Sequence, residues 1–182
     1  MKDSLDRVLN FAAFYLGWFA CVVGTARGLT IMGPVVVAAL LLLHLMFSSD
    51  RVRELQLIVW VGALGFAIDS SQAALGIFTF VGAPGVWICP PWLVALWMNF
   101  AGTLNKSMSW LGGRPTVAAV MGAVSGPVSY IAAARIGVIV FPNPLVSLIV
   151  LSIVWALVVP GLFVLRDALA QRGAARVTIP LR

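Results

Sequence analysis

The chain has 182 residues, 62% of them hydrophobic and 10% charged, with a formal net charge of +6. A mean hydropathy of +1.05 excludes an ordinary soluble domain, in which apolar residues make up about half of the chain. The 12 basic residues are scattered singly and form no basic-aromatic patch. Nucleic acid is therefore excluded as a partner, and the positive charge is assigned to topology and to anionic lipid headgroups. Two cysteines, Cys21 and Cys89, are too few for a disulfide framework, and one histidine, His44, leaves no multi-histidine metal site. No metal or other cofactor is expected.

Whole windows of about 20 residues are apolar, the length a helix needs to cross ~30 Å of hydrocarbon. The fold class is an all-α membrane protein, a single polytopic bundle of about six transmembrane helices. The first span runs over roughly 8–26; Asp3, Asp6 and Asn10 make it a poor signal peptide, so it reads as a retained span. After "ARG" comes a second span at roughly 30–47, ended by "SSDRVRE". The third, roughly 55–76, contains "GFAIDSSQAALG" and runs into the Gly/Pro/aromatic stretch "FTFVGAPGVWICPPW". The fourth and fifth lie at roughly 91–110 and 115–135, separated by "GGRP", and the sixth follows "FPNP" at roughly 144–166.

An even number of crossings puts both termini on one side. Lys2, Arg7, Arg51, Arg53, Lys106, Arg114, Arg166, Arg172, Arg176 and Arg182 fall on or near that side; Arg27 and Arg135 fall opposite. The positive-inside rule makes it the cytoplasmic side, and the expected location is a bacterial inner membrane. Asp3, Asp6, Asp50, Glu54 and Asp167 flank cytoplasmic ends, which leaves Asp69 as the acid inside a span.

Membrane helices pack through small residues and hydrogen bonds, because leaving lipid gains an apolar side chain little. The first span lines up Asn10, Ala13, Gly17, Cys21, Gly24 and Arg27; the third Gly62, Gly65, Asp69, Gln72 and Gly76. The fourth lines up Ala95, Asn99, Gly102, Thr103 and Lys106; the fifth Ala118, Gly122, Ser125, Gly126, Ser129 and Ala133. The second and sixth carry no such stripe. The expected core is spans one, three, four and five, with two and six nearer lipid. The same small-residue faces are candidate contacts for a membrane protein partner.

An ionisable group inside a membrane is expensive, about 2.5–3.5 kcal/mol even on insertion scales, and marks a functional hypothesis. Counted at a 1.5 Å rise per residue, Asp69 lies ~21 Å above the cytoplasmic start of its span, in the outer half. Asn99, Ser129, Tyr130 and Arg135 reach a similar level from two other spans, with Arg27 topping the first. The candidate ligand-binding residues are Asp69, Gln72, Asn99, Ser129, Tyr130 and Arg135. Gly65, Gly126 and Pro127 are the candidate pocket wall, Pro127 because it removes a backbone donor and bends its helix. Two readings stand open: a binding or proton-coupling carboxylate, or a structural tie in which Asp69 bonds Asn99 or an arginine. Catalytic chemistry has little support. The membrane holds one acid, and His44 is at the wrong depth to activate Ser70, Ser71, Ser125 or Ser129. Trp87, Trp92 and Trp110 read as interface anchors, and Lys106 as a snorkelling residue.

The segments "NFAAFYLGWFACVVG", "GFAIDSSQAALGIFTF", "PPWLVALWMNFAGTLNKSMSWL" and "GAVSGPVSYIAAARIG" resemble, in order, those of a bacterial inner-membrane family, domain of unknown function 2878. The matching positions include Asn10, Phe11, Trp18, Phe19, Gly65, Asp69, Pro91, Trp92, Trp97, Thr103, Leu104, Asn105, Trp110, Gly126, Pro127, Ser129 and Tyr130. Tyr15 and Lys106 depart from the pattern. The resemblance implies a small multi-pass membrane protein and no established activity. The expected function is a small-molecule binding or transport component with an outer-half polar pocket around Asp69. Two other classes remain open: an enzyme or accessory acting on lipid or an apolar metabolite, and an assembly or anchoring protein.

Overall fold

A computed structural model describes residues 2–82 and 86–177. Arg182 lies outside the described residues, as do the side chains of Lys2, Asp3, Arg172 and Arg176. The described chain is all-α apart from one short strand pair. Its elements are α1 (Lys2–Ala26), α2 (Met32–Met46), α3 (Arg51–Ala74), β1 (Thr79–Phe80), α4 (Pro91–Ala101), α5 (Pro115–Ile136), β2 (Ile139–Val140) and α6 (Pro144–Val177). Among the described residues, 4 helices are long and apolar enough to cross a membrane: α1, α3, α5 and α6. At 15 and 11 residues, α2 and α4 are shorter apolar helices.

Local chemistry explains the boundaries. Asp50 caps α3, its carboxylate accepting the N–H of Arg53 at 3.1 Å. Proline begins α4 and α5, where a missing N–H costs nothing. Gly137 ends α5 at φ 92°, and its N–H returns to the carbonyls of Ala133 and Ala134. The loops after α3 and α5 then pair as strands, Thr79 opposite Val140 and Phe80 opposite Ile139. The hydroxyl of Ser147 at the start of α6 donates to the carbonyl of Ile77 and fixes the same end.

Two expectations about the spans are corrected. The fourth does not run as a helix to residue 110: α4 stops at Ala101, and turns lead to a single 3-10 turn at Ser109–Leu111. The Thr103 hydroxyl donates to the Phe100 carbonyl at 2.7 Å, while Thr103 N–H turns to the same carbonyl at 2.9 Å. Side chains from other helices take the freed carbonyls. Asn10 Nδ2 donates to Gly102 O at 3.1 Å, and Arg166 Nη1 to Leu104 O at 3.3 Å. The oxygen of Asn10 in turn accepts the Ser107 N–H at 3.2 Å and hydroxyl at 2.7 Å. Two freed carbonyls and one N–H are thus answered by long-range partners, as an apolar surrounding favours.

The second correction concerns α6, which packs along α5 as part of the core. Leu151, Val159 and Leu162 are buried on it, and Trp155 enters the interior. Its missing stripe of small residues has a simple cause, for the partner supplies the holes. A Cβ on Gly122 would stand 2.2 Å from the Trp155 carbonyl oxygen, and one on Gly126 2.2 Å from the Trp155 ring. α2 packs through Gly33 against Cys21 of α1 and also meets α4, while Leu42, Leu43 and Met46 stay exposed. α4 is therefore the middle element, in contact with α1, α2 and α3.

Candidate functional site

The carboxylate of Asp69 lies five residues before the end of α3, fully buried at 0% exposure. Its Oδ1 accepts the Tyr130 hydroxyl at 2.6 Å and Gln72 Nε2 at 3.2 Å; its Oδ2 accepts Trp97 Nε1 at 2.7 Å. One side chain so links α3, α4 and α5. Trp155 brings in α6, its ring stacked on Trp97 at 4.8 Å and 14°. Phe78, just before β1, closes over the cluster at 5.3 Å from the Tyr130 ring. Beside it Ser70 Oγ accepts the N–H of Cys89 at 3.0 Å, holding the chain that leads into α4.

A buried carboxylate is tolerable when hydrogen-bonded, and here three neutral donors serve in place of the Asn99 or arginine tie weighed as one reading of the sequence. Arg135 and Arg27 are exposed, and among the described residues no ion pair involves Asp69. Of the sequence-derived candidates, the fold gathers Asp69, Gln72 and Tyr130, and separates Asn99, Ser129 and Arg135 from them. Asn99 donates to the Phe14 carbonyl at 2.9 Å and lies against Gly17, tying α4 to α1. Ser129 accepts Trp18 Nε1 at 2.9 Å, tying α1 to α5. Pro127 is buried within a continuous α5.

Gly65 and Gly126 have a more definite role than a pocket wall. A Cβ on Gly65 would stand 2.0–2.4 Å from atoms of the Trp97 indole, just as one on Gly126 would meet Trp155. Each is a socket for a tryptophan of the neighbouring helix. The small-residue faces of α3 and α5 are therefore filled from within the chain. Sequence reasoning named Trp97 as a position matching the family but gave neither it nor Trp155 a role at the site; their signal was the pairing of large residues on two spans with glycines on two others. It also read Trp92 as an interface anchor, whereas Trp92 is buried; Trp87 and Trp110 are exposed. Gln72 Oε1 and Trp155 Nε1 are buried at this cluster without a partner among the described residues, so one acceptor and one donor remain to be satisfied there.

On the other face of α4 the chain is apolar. Pro34 and Val37 of α2, Phe66 of α3, and Cys89, Ala95 and Met98 are among the residues that line an open groove of about 400 Å³. That volume falls in the ligand-pocket range of about 300–1,000 Å³. Met98 is seated on Gly62 of α3, where a Cβ would approach to 2.7 Å, while the adjacent Trp97 reaches Asp69. The Asp69 bonds thereby hold the wall of the groove from behind. Both thiols, Cys21 and Cys89, are free and buried.

The family model for proteins of unknown function DUF2878 matches residues 7–161. The chain belongs to this family. No curated protein matches it, and no solved structure does. The DUF2878 match runs from within α1 to about the middle of α6 and so covers the Asp69 cluster, the groove and the break after α4. The family carries no assigned activity, so the chemistry of these sites must speak for function.

Proposed function

We propose that this DUF2878 protein is a binding component of a bacterial inner membrane, with both termini cytoplasmic, holding an apolar, lipid-like molecule in the groove between α2 and α3. The groove carries this reading: its size suits a ligand, its named lining is hydrocarbon, thioether and thiol, and it is open at Phe66 and Pro91. A molecule dissolved in the bilayer can enter it sideways without crossing a polar surface. In the proposed orientation the groove lies in the outer half, since Pro34 and Pro91 begin helices that descend from that side. The polar pocket expected around Asp69 becomes the rigid support of one wall, with Asp69, Gln72 and Tyr130 fixing α4 against α3 and α5. Membrane lipids are then both the surroundings and the source of the ligand.

Filling the groove tests this. In Ala95→Phe a large ring occupies the groove floor while the Asp69 bonds are untouched. Native mass spectrometry of the protein extracted from its membrane is expected to show a bound lipid-like species on wild type and its loss in the variant. Equal retention by both would overturn the reading.

A further inference from the structure

At the end of the bundle opposite Asp69, a second buried acid stands outside this function. Glu54, in the first turn of α3, is 8% exposed. Its Oε1 accepts Asn105 Nδ2 at 2.9 Å, and its Oε2 lies 3.1 Å from His44 Nε2 of α2. An ionised carboxylate accepts and cannot donate, so a neutral imidazole bonded to it through Nε2 would carry its hydrogen there and keep Nδ1 as its other bonding atom. Glu54 was read as a flanking charge and His44 as lying at the wrong depth for catalysis; the fold makes them a largely buried pair.

Several of the other charges at this end are engaged elsewhere, while Asp6 and Arg114 are exposed. Asp50 and Arg53 of α3 pair at 2.8 Å, Arg51 donates to Met46 O, and Arg166 pairs with Asp167 of α6 at 2.7 Å. Lys106, in the turns after α4, is partly buried, and Arg7 of α1 is exposed. From α1, α4 and the turns that follow it, uncharged residues meet His44 across a cavity of about 30 Å³: Asn10 and Phe14 on one side, Asn99, Gly102 and Thr103 on the other. A water needs about 10–15 Å³ and two to four polar partners, so this space suits water and is too small for an organic solute. It sits where the helical ladder of α4 ends, and irregular backbone at membrane depth is tolerated where it lines a water-filled cavity.

We propose that His44 is a proton-binding site, held in register by Glu54 and Asn105, that exchanges its proton through water in the cavity at the break of α4. The step is a proton transfer alone. A proton moves from cavity water to Nδ1, the ring becomes an imidazolium paired with Glu54, and the hydroxide left in the cavity takes up a proton from solvent at that end of the bundle. The proposal is independent of the groove.

His44 is the single histidine of the chain, so 15N-imidazole labelling reports it without ambiguity. In phosphatidylcholine vesicles, NMR is expected to show the Nε2–H tautomer under alkaline conditions and reversible conversion to imidazolium on acidification. Glu54→Ala is expected to release the tautomer preference. Thr103→Val, which leaves the His44–Glu54 pair intact, is expected to slow solvent exchange of the imidazole protons several-fold. The proposal is overturned by a ring whose protonation stays fixed between about pH 5 and 8, the range in which imidazoles normally titrate. It is equally overturned if Thr103→Val exchanges as fast as wild type, a result that stands even if Glu54→Ala fails to fold.

Discussion

Asp69→Leu is expected to lower stability by about 3 kcal/mol or more, because three buried donors lose their acceptor and each stranded group costs about 1–3 kcal/mol. The donors are Trp97 Nε1, Tyr130 Oη and Gln72 Nε2. Asp69→Asn should cost about half as much or less, since an amide oxygen in the Oδ1 place still accepts from Tyr130 and Gln72 while its NH2 faces Trp97 Nε1 without accepting. Thermal unfolding in micelles, or unfolding in graded SDS, measures both. The cause is checked by the triple variant Asp69→Leu, Trp97→Phe, Tyr130→Phe. Removing donors along with the acceptor should recover a large part of the loss, because pairs deleted together are nearly neutral. A triple variant less stable than Asp69→Leu alone would mean that the cluster is held by something other than these bonds.

Gly65→Ala is expected to be nearly as damaging, although it adds a single methyl group. The new Cβ would lie 2.0–2.4 Å from the Trp97 ring, and the contact is with the base of the indole, which cannot swing aside like the tip of a flexible chain. Relief requires α3 and α4 to separate or the indole to leave, and leaving breaks the bond to Asp69. Overpacking alone costs about 1–3 kcal/mol, and the hydrogen bond adds to it. In a double-mutant cycle with Trp97→Leu, the coupling should be favourable and exceed about 1 kcal/mol, whereas independent sites add to within about 0.5 kcal/mol. Additive losses would rule out the socket.

Much of this arrangement is legible in the sequence because membrane solvation makes its rules strict. Asp69, Gln72 and Tyr130 announce themselves as polar residues at one depth on facing helices, and the fold brings them together. What the sequence hides is which helix stands beside which. Trp97 and Trp155 look like further apolar residues until Gly65 and Gly126 are seen opposite them, and that complementarity exists between spans. The same gap explains α6, whose large side chains suggest a lipid-facing helix when its partner's holes are unknown. Glu54 sits among Asp50, Arg51 and Arg53 and reads as one more solvated charge. Its burial comes from His44 on α2 and from Asn105, which the break after α4 delivers. That break escapes an apolar pattern because it depends on Asn10, some ninety positions earlier, accepting and donating on its behalf.

The placement of the arginines shows how magnitude decides between two tidy arguments. Pairing Asp69 with Arg135 would satisfy charge, yet it would require burying a second ion, whose desolvation costs several kcal/mol. Tyrosine and tryptophan donors satisfy the carboxylate with neutral groups that also fill space, and the arginine stays exposed. The result is a rigid centre with a soft apolar face behind it.

The reading of this face as a binding groove meets its most direct test in photocrosslinking. Protein in phosphatidylcholine vesicles containing a diazirine-bearing fatty acid would be irradiated and its adducts mapped by mass spectrometry. The account predicts adducts concentrated on Val37, Phe66, Ala95 and Met98, with few on Ile153, Leu157 and Val164, which are exposed on α6. Adducts spread evenly over all exposed apolar positions would contradict it.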